Sequence, residues 1–362
     1  MTADSDLLLP QPQECALALS AHLYTSPQIA ERERTCVFAR HWQLVAHADQ
    51  VRDPGDHAVI EIAGVPLVIV RGEDGELRAL HNVCRHRAGP LAICDGRGAK
   101  ALRCKYHGWT YRLDGQLRSA PEMEDARDFD VSAIHLPQAH VAQWQNLIFA
   151  ALESPPPLVE LLDGIDARIG AHPLASYAFD RRTSYAIACN WKTYVDNYLE
   201  GYHVPHIHPA LNRMLDYRSY TTTLSPWHSL QFSPLQSADT LYGNGDALYY
   251  FIWPNIMLNI LPGRLQTNRV VPLAPGRCRV DFDYFYPVGR NDAAHRAQDE
   301  AFSDEVQHED VAICELVQQR LASGSYSAGR LNPKRESGVW HFHELYRRAL
   351  REAATPTSCV SC

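Results

Sequence analysis

The sequence predicts an α+β protein of two domains, an N-terminal domain of antiparallel strands followed by a C-terminal domain of mixed strands and helices. The chain has 362 residues, 46% of them hydrophobic, so it can bury a sizeable core and is too long for one minimal domain. Short β-type runs fill the first part, and helical patterns become frequent after a proline run at residues 154–157. We therefore place the boundary at this run, with residues 40–155 as one domain and residues 1–39 and 156–362 as the other.

The first element is a predicted helix that begins at Pro27 and runs toward Trp42, because Ser26 is a favourable N-cap and proline is favoured at the first helical position. Strands follow, and a glycine-containing turn joins two of them as in an antiparallel hairpin. These strands are predicted over residues 58–62, 65–70, 77–81 and 146–152.

After the proline run the periodicity alternates between helix and strand. Helices are predicted over residues 191–202, 295–321 and 339–351, and strands over 246–261 and 277–286.

Composition excludes several functions. The net charge is −8 and the basic residues are dispersed, so a nucleic-acid-binding face is not expected. No apolar stretch approaches the roughly 18 residues of a membrane span. The first residues lack the basic and apolar regions of a signal peptide, so we expect a cytoplasmic protein whose ten cysteines are mostly free thiols or metal ligands.

Two cysteines and two histidines form a specific metal-binding pattern. One residue lies between Cys84 and His86, two residues lie between Cys104 and His107, and seventeen residues separate the two pairs. Two thiolates on one iron and two imidazoles on the other is the ligation of a Rieske [2Fe-2S] cluster. A structural zinc loop is the alternative, although zinc sites usually pair like residues at other spacings.

A second histidine-rich segment follows the predicted helix at 191–202. If that helix is regular, Glu200 and His203 share one face, and Pro205 turns the chain so that a later histidine can return to the same point. His208 and His206 both satisfy this condition, and packing or capping roles remain an alternative. Two imidazoles and a carboxylate form the facial triad of non-haem iron(II), which leaves positions open for dioxygen.

The third ligand is expected on the helix predicted over 295–321. Asp310 is our candidate, and Glu309 and Glu315 are nearby alternatives. An acid on a long helix is otherwise typical of a solvated face.

An aromatic stretch at residues 249–255 could contact the substrate. Tyr250, Trp253 and Asn255 are the candidates, because aromatic faces attract quaternary ammonium groups. Aromatic residues that fill the core are the alternative. An arginine in the pocket, Arg264 or Arg269, would instead favour an aromatic acid.

From about residue 24 to 350 the chain resembles the catalytic α subunits of Rieske non-haem iron oxygenases, most closely those that oxidise quaternary ammonium compounds. The segments Asn190-Trp191-Lys192, Asp196 to Glu200, Tyr202 to Pro205 and Glu309-Asp310-Val311 carry this likeness. The resemblance implies a helix-grip-like catalytic domain with an antiparallel sheet and flanking helices. It favours His208 over His206 and Asp310 over its neighbours as iron ligands with His203.

The resemblance also implies that Glu200, where the family more often has aspartate, links the cluster of one subunit to the iron of the next in a homotrimer. Asn197 is a further candidate beside it. The expected cofactors are a [2Fe-2S] cluster and mononuclear Fe(II), with dioxygen as co-substrate. NAD(P)H would act through a separate reductase, since the sequence shows no nicotinamide-binding fingerprint.

The expected activity is hydroxylation or N-demethylation of choline, a betaine or a carnitine-like compound. Oxidation of an aromatic acid or ring is the second hypothesis. A metal-binding or electron-carrier protein without oxygenase activity is the third, and it leaves the second domain unexplained.

Overall fold

A computed structural model describes residues 7–170, 174–235, 241–289 and 292–352. The chain divides into two compact units, Phe38–Leu158, here called the β unit, and Met1–Val37 with Val159–Cys362, here called the α+β unit.

The β unit is built from two antiparallel sheets. The larger has the strand order β1-β9-β8-β4-β3-β2 and the smaller the order β5-β6-β7. The strands are β1 Gln43–His47, β2 His57–Ile62, β3 Val65–Arg71, β4 Leu77–His81, β5 Leu102–Arg103, β6 Thr110–Tyr111, β7 Leu117–Ser119, β8 Gln138–Trp144 and β9 Leu147–Ala151.

Strand β3 is buried on both faces, which explains its continuous apolar sequence. Its alternate side chains enter two clusters, with Val68 and Val70 on one side and Leu67 and Ile69 on the other. The first cluster also contains Cys84 and Cys104, one from each of the loops that carry the cysteine and histidine pairs. The β3 core therefore forms the base on which these loops lie.

The α+β unit contains one seven-stranded antiparallel sheet of order β10-β16-β15-β14-β13-β12-β11. Its strands are β10 Tyr177–Ile187, β11 Thr221–Leu224, β12 His228–Pro234, β13 Asp246–Ile252, β14 Ile256–Leu261, β15 Arg264–Ala274 and β16 Arg277–Pro287. The α-helices of the described residues are α1 Ala21–Thr25, α2 Pro27–Glu33, α3 Leu158–Leu161, α4 Ile165–Ile169, α5 Trp191–Tyr198, α6 Val204–Ile207, α7 Pro209–Met214, α8 Ala293–Ala322 and α9 Ser337–Glu352.

These elements confirm the α+β class, and two helices differ from the prediction. Helix α2 does begin at Pro27, with the Ser26 hydroxyl accepting from the Ile29 N–H, but after Glu33 it changes to a π-helical turn at Arg34–Phe38. Helix α5 ends at Tyr198 rather than at residue 202. Glu200 and His203 are therefore not on one helical face.

Register places a polar row across the central sheet. Gln231 pairs with Tyr249, Tyr249 with Asn259, Asn259 with Gln266, and Gln266 with Tyr284. Directly paired residues point to the same face of a sheet. This face forms one wall of a cavity whose other wall is α8.

Helix α8 contributes a stripe that is polar although it is buried. Asp299, Ser303 and Gln307 are buried and follow one another at four-residue intervals, which places them on one helical face. Asp310, three residues after Gln307, lies on the same face. The stripe explains why α8 shows little apolar periodicity.

Candidate functional site

Two loops of the β unit carry the cysteine and histidine pairs, and their backbones fold alike. In each loop the residue four positions after the cysteine, Ala88 or Gly108, donates its N–H to the carbonyl of Cys84 or Cys104, at 3.0 and 3.1 Å. Both residues have a positive φ, 57° at Ala88 and 76° at Gly108. The loops are therefore equivalent in conformation, although their cysteine-to-histidine spacings differ.

The four side chains separate by polarity. Cys84 and Cys104 are buried, whereas His86 is exposed and His107 is half-buried. The two imidazole rings lie 4.6 Å apart between centroids. Thiolates inside and imidazoles at the rim fit a [2Fe-2S] group with one cysteine-bound and one histidine-bound iron.

Neighbouring residues determine the surroundings of the two cysteine sulfur atoms. A Cβ at Gly89 would lie 2.8 Å from the Cys104 Sγ, so only glycine leaves room for this cysteine. The Tyr111 hydroxyl lies 3.3 Å from the Cys84 Sγ and accepts from the Arg85 N–H at 3.0 Å. Since that hydroxyl uses its oxygen for Arg85, its proton is available to the sulfur. Tyr111 was not identified from the sequence.

The second candidate centre lies in the α+β unit, where the structure brings together His203, His208 and Asp310. One ligand atom from each lies within 4.8 Å of the others. The two Nε2 atoms are 3.1 Å apart, and the Asp310 Oδ1 is 3.0 Å from the His208 Nε2 and 3.6 Å from the His203 Nε2.

The outer ring nitrogens of both histidines contact carboxylates. The His203 Nδ1 lies 2.6 Å from the Glu200 Oε1, and the His208 Nδ1 lies 2.7 Å from the Glu309 Oε2. A carboxylate beside each Nδ1 favours the tautomer that carries its proton on that nitrogen, which directs the Nε2 lone pair toward the metal position. Two such lone pairs and a carboxylate oxygen converge on one point, and this arrangement fits a bound cation. The donor set is that of non-haem iron.

The chain after α5 is shaped by Glu200. Its Oε2 accepts from the backbone N–H groups of Tyr202 and His203, which stabilises the turn that follows the helix. Pro205 then lies in the first turn of α6. His208 ends this turn and is buried, whereas His206 is exposed. The geometry thus separates two histidines that composition could not.

The remaining sequence candidates near this centre have distinct contacts. The Asn197 Nδ2 donates to the Asp310 Oδ1 at 2.6 Å. Glu309, an alternative ligand in the sequence, instead contacts the outer nitrogen of His208. Glu315 accepts from the Ala188 N–H at 2.9 Å and is not part of the centre.

A cavity of about 120 Å³ opens beside these ligands, which is room for a small organic molecule rather than a polymer. Its aromatic lining includes Tyr198, Tyr220 and Tyr249. The Tyr198 hydroxyl donates to the Asn259 Oδ1 at 2.7 Å, and the Tyr220 hydroxyl donates to the Gln231 Oε1 at 2.9 Å. Burial raises the pKa of all three tyrosines, so their hydroxyls are neutral at physiological pH.

The residues predicted to contact the substrate do not line this cavity. Tyr250 packs against His228, Trp253 packs against Phe342, and the Asn255 Nδ2 donates to the Val270 carbonyl at 2.7 Å. For Tyr250 the reason is strand parity, because successive residues of β13 point to opposite faces, whereas Trp253 and Asn255 follow the end of β13 at Ile252. Tyr249 rather than Tyr250 therefore faces the cavity.

The same parity separates the two arginines of β15. Arg264 lines the cavity. Arg269 is on the other face, where its Nη2 donates to the Asp281 Oδ2 at 2.9 Å.

The eight cysteines in the described ranges are free thiols. Within the same ranges, none of the helices combines the length and apolar character needed to cross a bilayer.

Comparison with known proteins assigns two parts of the chain to families. Residues 41–138 match the Rieske [2Fe-2S] domain family, and residues 174–352 match the family of ring hydroxylating alpha subunits, in its catalytic domain. The chain therefore belongs to the Rieske oxygenases, the class that joins a Rieske [2Fe-2S] domain to a catalytic domain with mononuclear iron.

Within this class the chain is similar to enzymes named for quaternary ammonium substrates. It is 36% identical to the chloroplastic choline monooxygenase of Arabidopsis thaliana over 94% of this chain and 84% of that protein. It is 30% identical to the carnitine monooxygenase oxygenase subunit of Escherichia coli K12 over 96% and 98% of the two chains.

A solved structure agrees with this similarity. The quaternary ammonium Rieske monooxygenase CntA in complex with L-carnitine superposes with a TM-score of 0.84 at 25% identity, covering 94% of this chain and 99% of that one.

Proposed function

We propose that the protein is an oxygenase component that uses dioxygen and externally supplied electrons to hydroxylate or N-demethylate a small quaternary ammonium compound. The observation that carries the proposal is the convergence of His203, His208 and Asp310 beside a cavity lined by neutral tyrosines. The aromatic faces of neutral tyrosines attract a trimethylammonium group through cation–π interactions. The named activities of the choline and carnitine monooxygenases support this substrate class.

In this proposal Cys84, Cys104, His86 and His107 hold the [2Fe-2S] cluster, residues 40–155 form its domain, and residues 1–39 and 156–362 form the catalytic domain. His203, His208 and Asp310 hold the iron, which supplies dioxygen activation when bound. The protein residues keep the imidazoles oriented. Glu200 and Glu309 hold the outer nitrogens, and Asn197 fixes the carboxylate of Asp310.

The overall reaction balances with one dioxygen, two electrons and two protons. One oxygen atom enters a C–H bond next to nitrogen or on a carbinol carbon, and the other leaves as water. An N-hydroxymethyl product then loses formaldehyde, whereas a hydroxylated carbinol carbon gives an aldehyde hydrate. The tyrosines that line the cavity orient the ammonium group so that one of these bonds faces the metal ligands.

We further propose that electrons arrive from a separate NAD(P)H-dependent reductase and cross between subunits of a homotrimer through Glu200. Inter-subunit electron transfer is a property named for a structurally similar quaternary ammonium Rieske monooxygenase. Glu200 supports this role because its Oε1 lies 2.6 Å from the His203 Nδ1. The free thiols in the described ranges support a reducing compartment such as the cytoplasm.

A single-turnover experiment tests the activity without the reductase. The protein, loaded with cluster and iron, is reduced chemically under anaerobic conditions and mixed with dioxygen and one of a panel of substrates. We expect hydroxylated or demethylated products from a quaternary ammonium compound, identified by mass spectrometry. Products from aromatic acids alone would contradict the proposal and support the second hypothesis, which the position of Arg264 in the cavity favours.

A further inference from the structure

We propose that the substrate carries a carboxylate as well as a quaternary ammonium group, and that Arg264, together with the Tyr249 hydroxyl, binds this carboxylate. The inference rests on the proposed function and narrows it to zwitterions such as betaines or carnitine. Choline, which has a cation and no anion, would be a poor substrate.

Arg264 belongs to the cavity wall by the geometry of its strand. It begins β15, and alternate residues of a strand share one face. Arg264, Gln266 and Asn268 all line the cavity, whereas Arg269 lies on the opposite face. Only 4% of Arg264 is exposed, so its charge interacts with the contents of the cavity rather than with bulk solvent.

The guanidinium group is held in a fixed orientation. Its Nε lies 3.0 Å from the Asp299 Oδ1, and its Nη2 donates to the Gln266 Oε1. Its central carbon lies 5.7 Å from the Tyr242 ring centroid and 5.5 Å from that of Tyr284. Little side-chain entropy is therefore lost when an anion binds.

Part of this cation is not used by the protein. Asp299 is its only charged partner in the described part of the chain, and this carboxylate also accepts from the Tyr242 and Tyr286 hydroxyls, at 2.5 Å each. No acceptor in the described ranges pairs with the Arg264 Nη1. An N–H donor on a buried guanidinium that opens into a cavity fits a carboxylate oxygen.

Tyr249 supplies a second donor on the same wall. Burial raises its pKa to about 12, against the opposing charge of Arg264, so the hydroxyl keeps its proton. This hydroxyl makes no hydrogen bond to any residue that the structure describes. The neighbouring polar row is already paired, since the Gln266 Nε2 donates to the Asn268 Oδ1 at 2.8 Å. Arg264 and Tyr249 are thus donors of the sheet wall that remain for a ligand, and the Gln307 Nε2, unpaired within the described ranges, lies on the α8 wall opposite.

The two ends of the cavity match a zwitterion. Asp299, beside Arg264, and Asp310, among the metal ligands, are on one face of α8 and eleven residues apart, or about 16 Å between Cα atoms. Asp310 lines the cavity itself, whereas Asp299 reaches it through its contact with Arg264. A trimethylammonium group would contact Tyr198 and Tyr220 near the metal ligands while a carboxylate reaches Arg264.

The two alternative substrates each leave one end unmatched. Choline would place a cation in a cavity that already holds the Arg264 charge and would leave its free donor unpaired, which disfavours binding. An aromatic acid would satisfy Arg264 but would bring no cation to the tyrosines and the Glu200 carboxylate.

The test compares Arg264→Gln with Arg269→Gln, which removes a half-buried arginine from the opposite face of the same strand. Dissociation constants for glycine betaine, carnitine and choline are measured by calorimetry on protein loaded with cluster and iron. We expect Arg264→Gln to weaken both zwitterions about 10- to 100-fold, as for loss of a charged hydrogen-bond partner, and to leave choline unchanged or improved. Arg269→Gln should leave the zwitterion-to-choline ratio as in the wild type. An equal loss for all three compounds in Arg264→Gln would show a structural role for the arginine and overturn the inference.

Two further variants keep the inference falsifiable if Arg264→Gln does not fold. Arg264→Lys keeps the charge and should retain part of the preference. Tyr249→Phe removes one hydroxyl and should weaken only the zwitterions, about 3- to 10-fold. Equal affinity of Tyr249→Phe and the wild type for carnitine would contradict the role of the hydroxyl.

Single turnover of the wild type separates this inference from the proposed function. If choline is converted at least as well as the zwitterions, the carboxylate inference fails and the quaternary ammonium activity stands. If only benzoate or another aromatic acid is converted, the proposed function itself fails.

Discussion

Replacing Glu309 by glutamine should weaken iron binding without removing any proposed ligand. The Glu309 Oε2 lies 2.7 Å from the His208 Nδ1, while the His208 side chain is 1% exposed and that of Glu309 is 29% exposed. The carboxylate holds the imidazole in the tautomer whose Nε2 lone pair faces the metal position. Glutamine can still accept from Nδ1–H, but it has no charge with which to strengthen the donor properties of the ring.

The size of the effect follows from this geometry. A hydrogen bond to a charged group contributes about 1.5 to 3 kcal/mol, and partial exposure of Glu309 reduces that value by screening. Because glutamine retains the neutral part of the bond, we expect a loss of about 1.4 kcal/mol, or about tenfold in the iron(II) dissociation constant.

The assay is competition with an iron(II) chelator on protein that retains its cluster, which is monitored by its visible absorption. Glu305→Gln is the control, because Glu305 is an exposed residue one turn earlier on α8. Its replacement removes the same charge. Unchanged iron affinity in Glu309→Gln, or an equal loss in both variants, would refute the argument that this contact orients His208.

Three further outcomes are expected. Glu200→Gln should retain both metal centres while steady-state turnover falls at least about 100-fold, because the charged contact with His203 is lost. Metal analysis measures the occupancy of the centres, and oxygen consumption measures the turnover. Gly89→Ala should lose most of the cluster, because the added methyl would lie 2.8 Å from the Cys104 Sγ, and visible absorption reports this loss. Burial, with repulsion from neighbouring cations, lowers the pKa of His341 to about 4. The unfolded chain then binds a proton that the folded one does not, so the free energy of unfolding should fall by about 1 kcal/mol between about pH 7.5 and about pH 5.5, as measured by denaturant titration.

Each of these outcomes has a matched comparison. For Glu200→Gln, normal turnover would exclude the electron-transfer role. Gly276→Ala is the control for Gly89→Ala, because its added methyl meets nothing closer than 3.7 Å; full cluster content in Gly89→Ala would contradict the steric argument. His341→Leu should flatten the dependence of stability on pH, and an unchanged slope in that variant would assign it to other groups.

The two Rieske loops could be predicted from the sequence because their chemistry is local. Cysteine and histidine at close spacing have few other uses, so the pattern of Cys84 and His86 with its partner pair indicates both the metal and the fold. The antiparallel strands around them were also predictable, since β3 has a continuous apolar run bounded by turns.

The substrate cavity could not be predicted in the same way, because its residues depend on register. Strand β13 is buried on both faces for most of its length, so Tyr249 and Tyr250 have equivalent sequence surroundings. Glu309 and Asp299 likewise resemble the solvated acids of an ordinary helix, because the face that α8 buries is polar. His206 and His208 could be separated only once the turn after α5 was known.

The position of Asp299 and Asp310 on one helix limits how such a cavity can change. Inserting one residue between them would lengthen the helix by about 1.5 Å but would also rotate the two carboxylates by about 100° relative to each other. Adaptation to a longer or shorter substrate must therefore proceed by substitution at positions that lie between the two acids. Phe302 and Val306 are such positions, and both line the cavity. Related chains that act on substrates of different lengths should conserve the spacing of these two acids and vary at the two apolar positions.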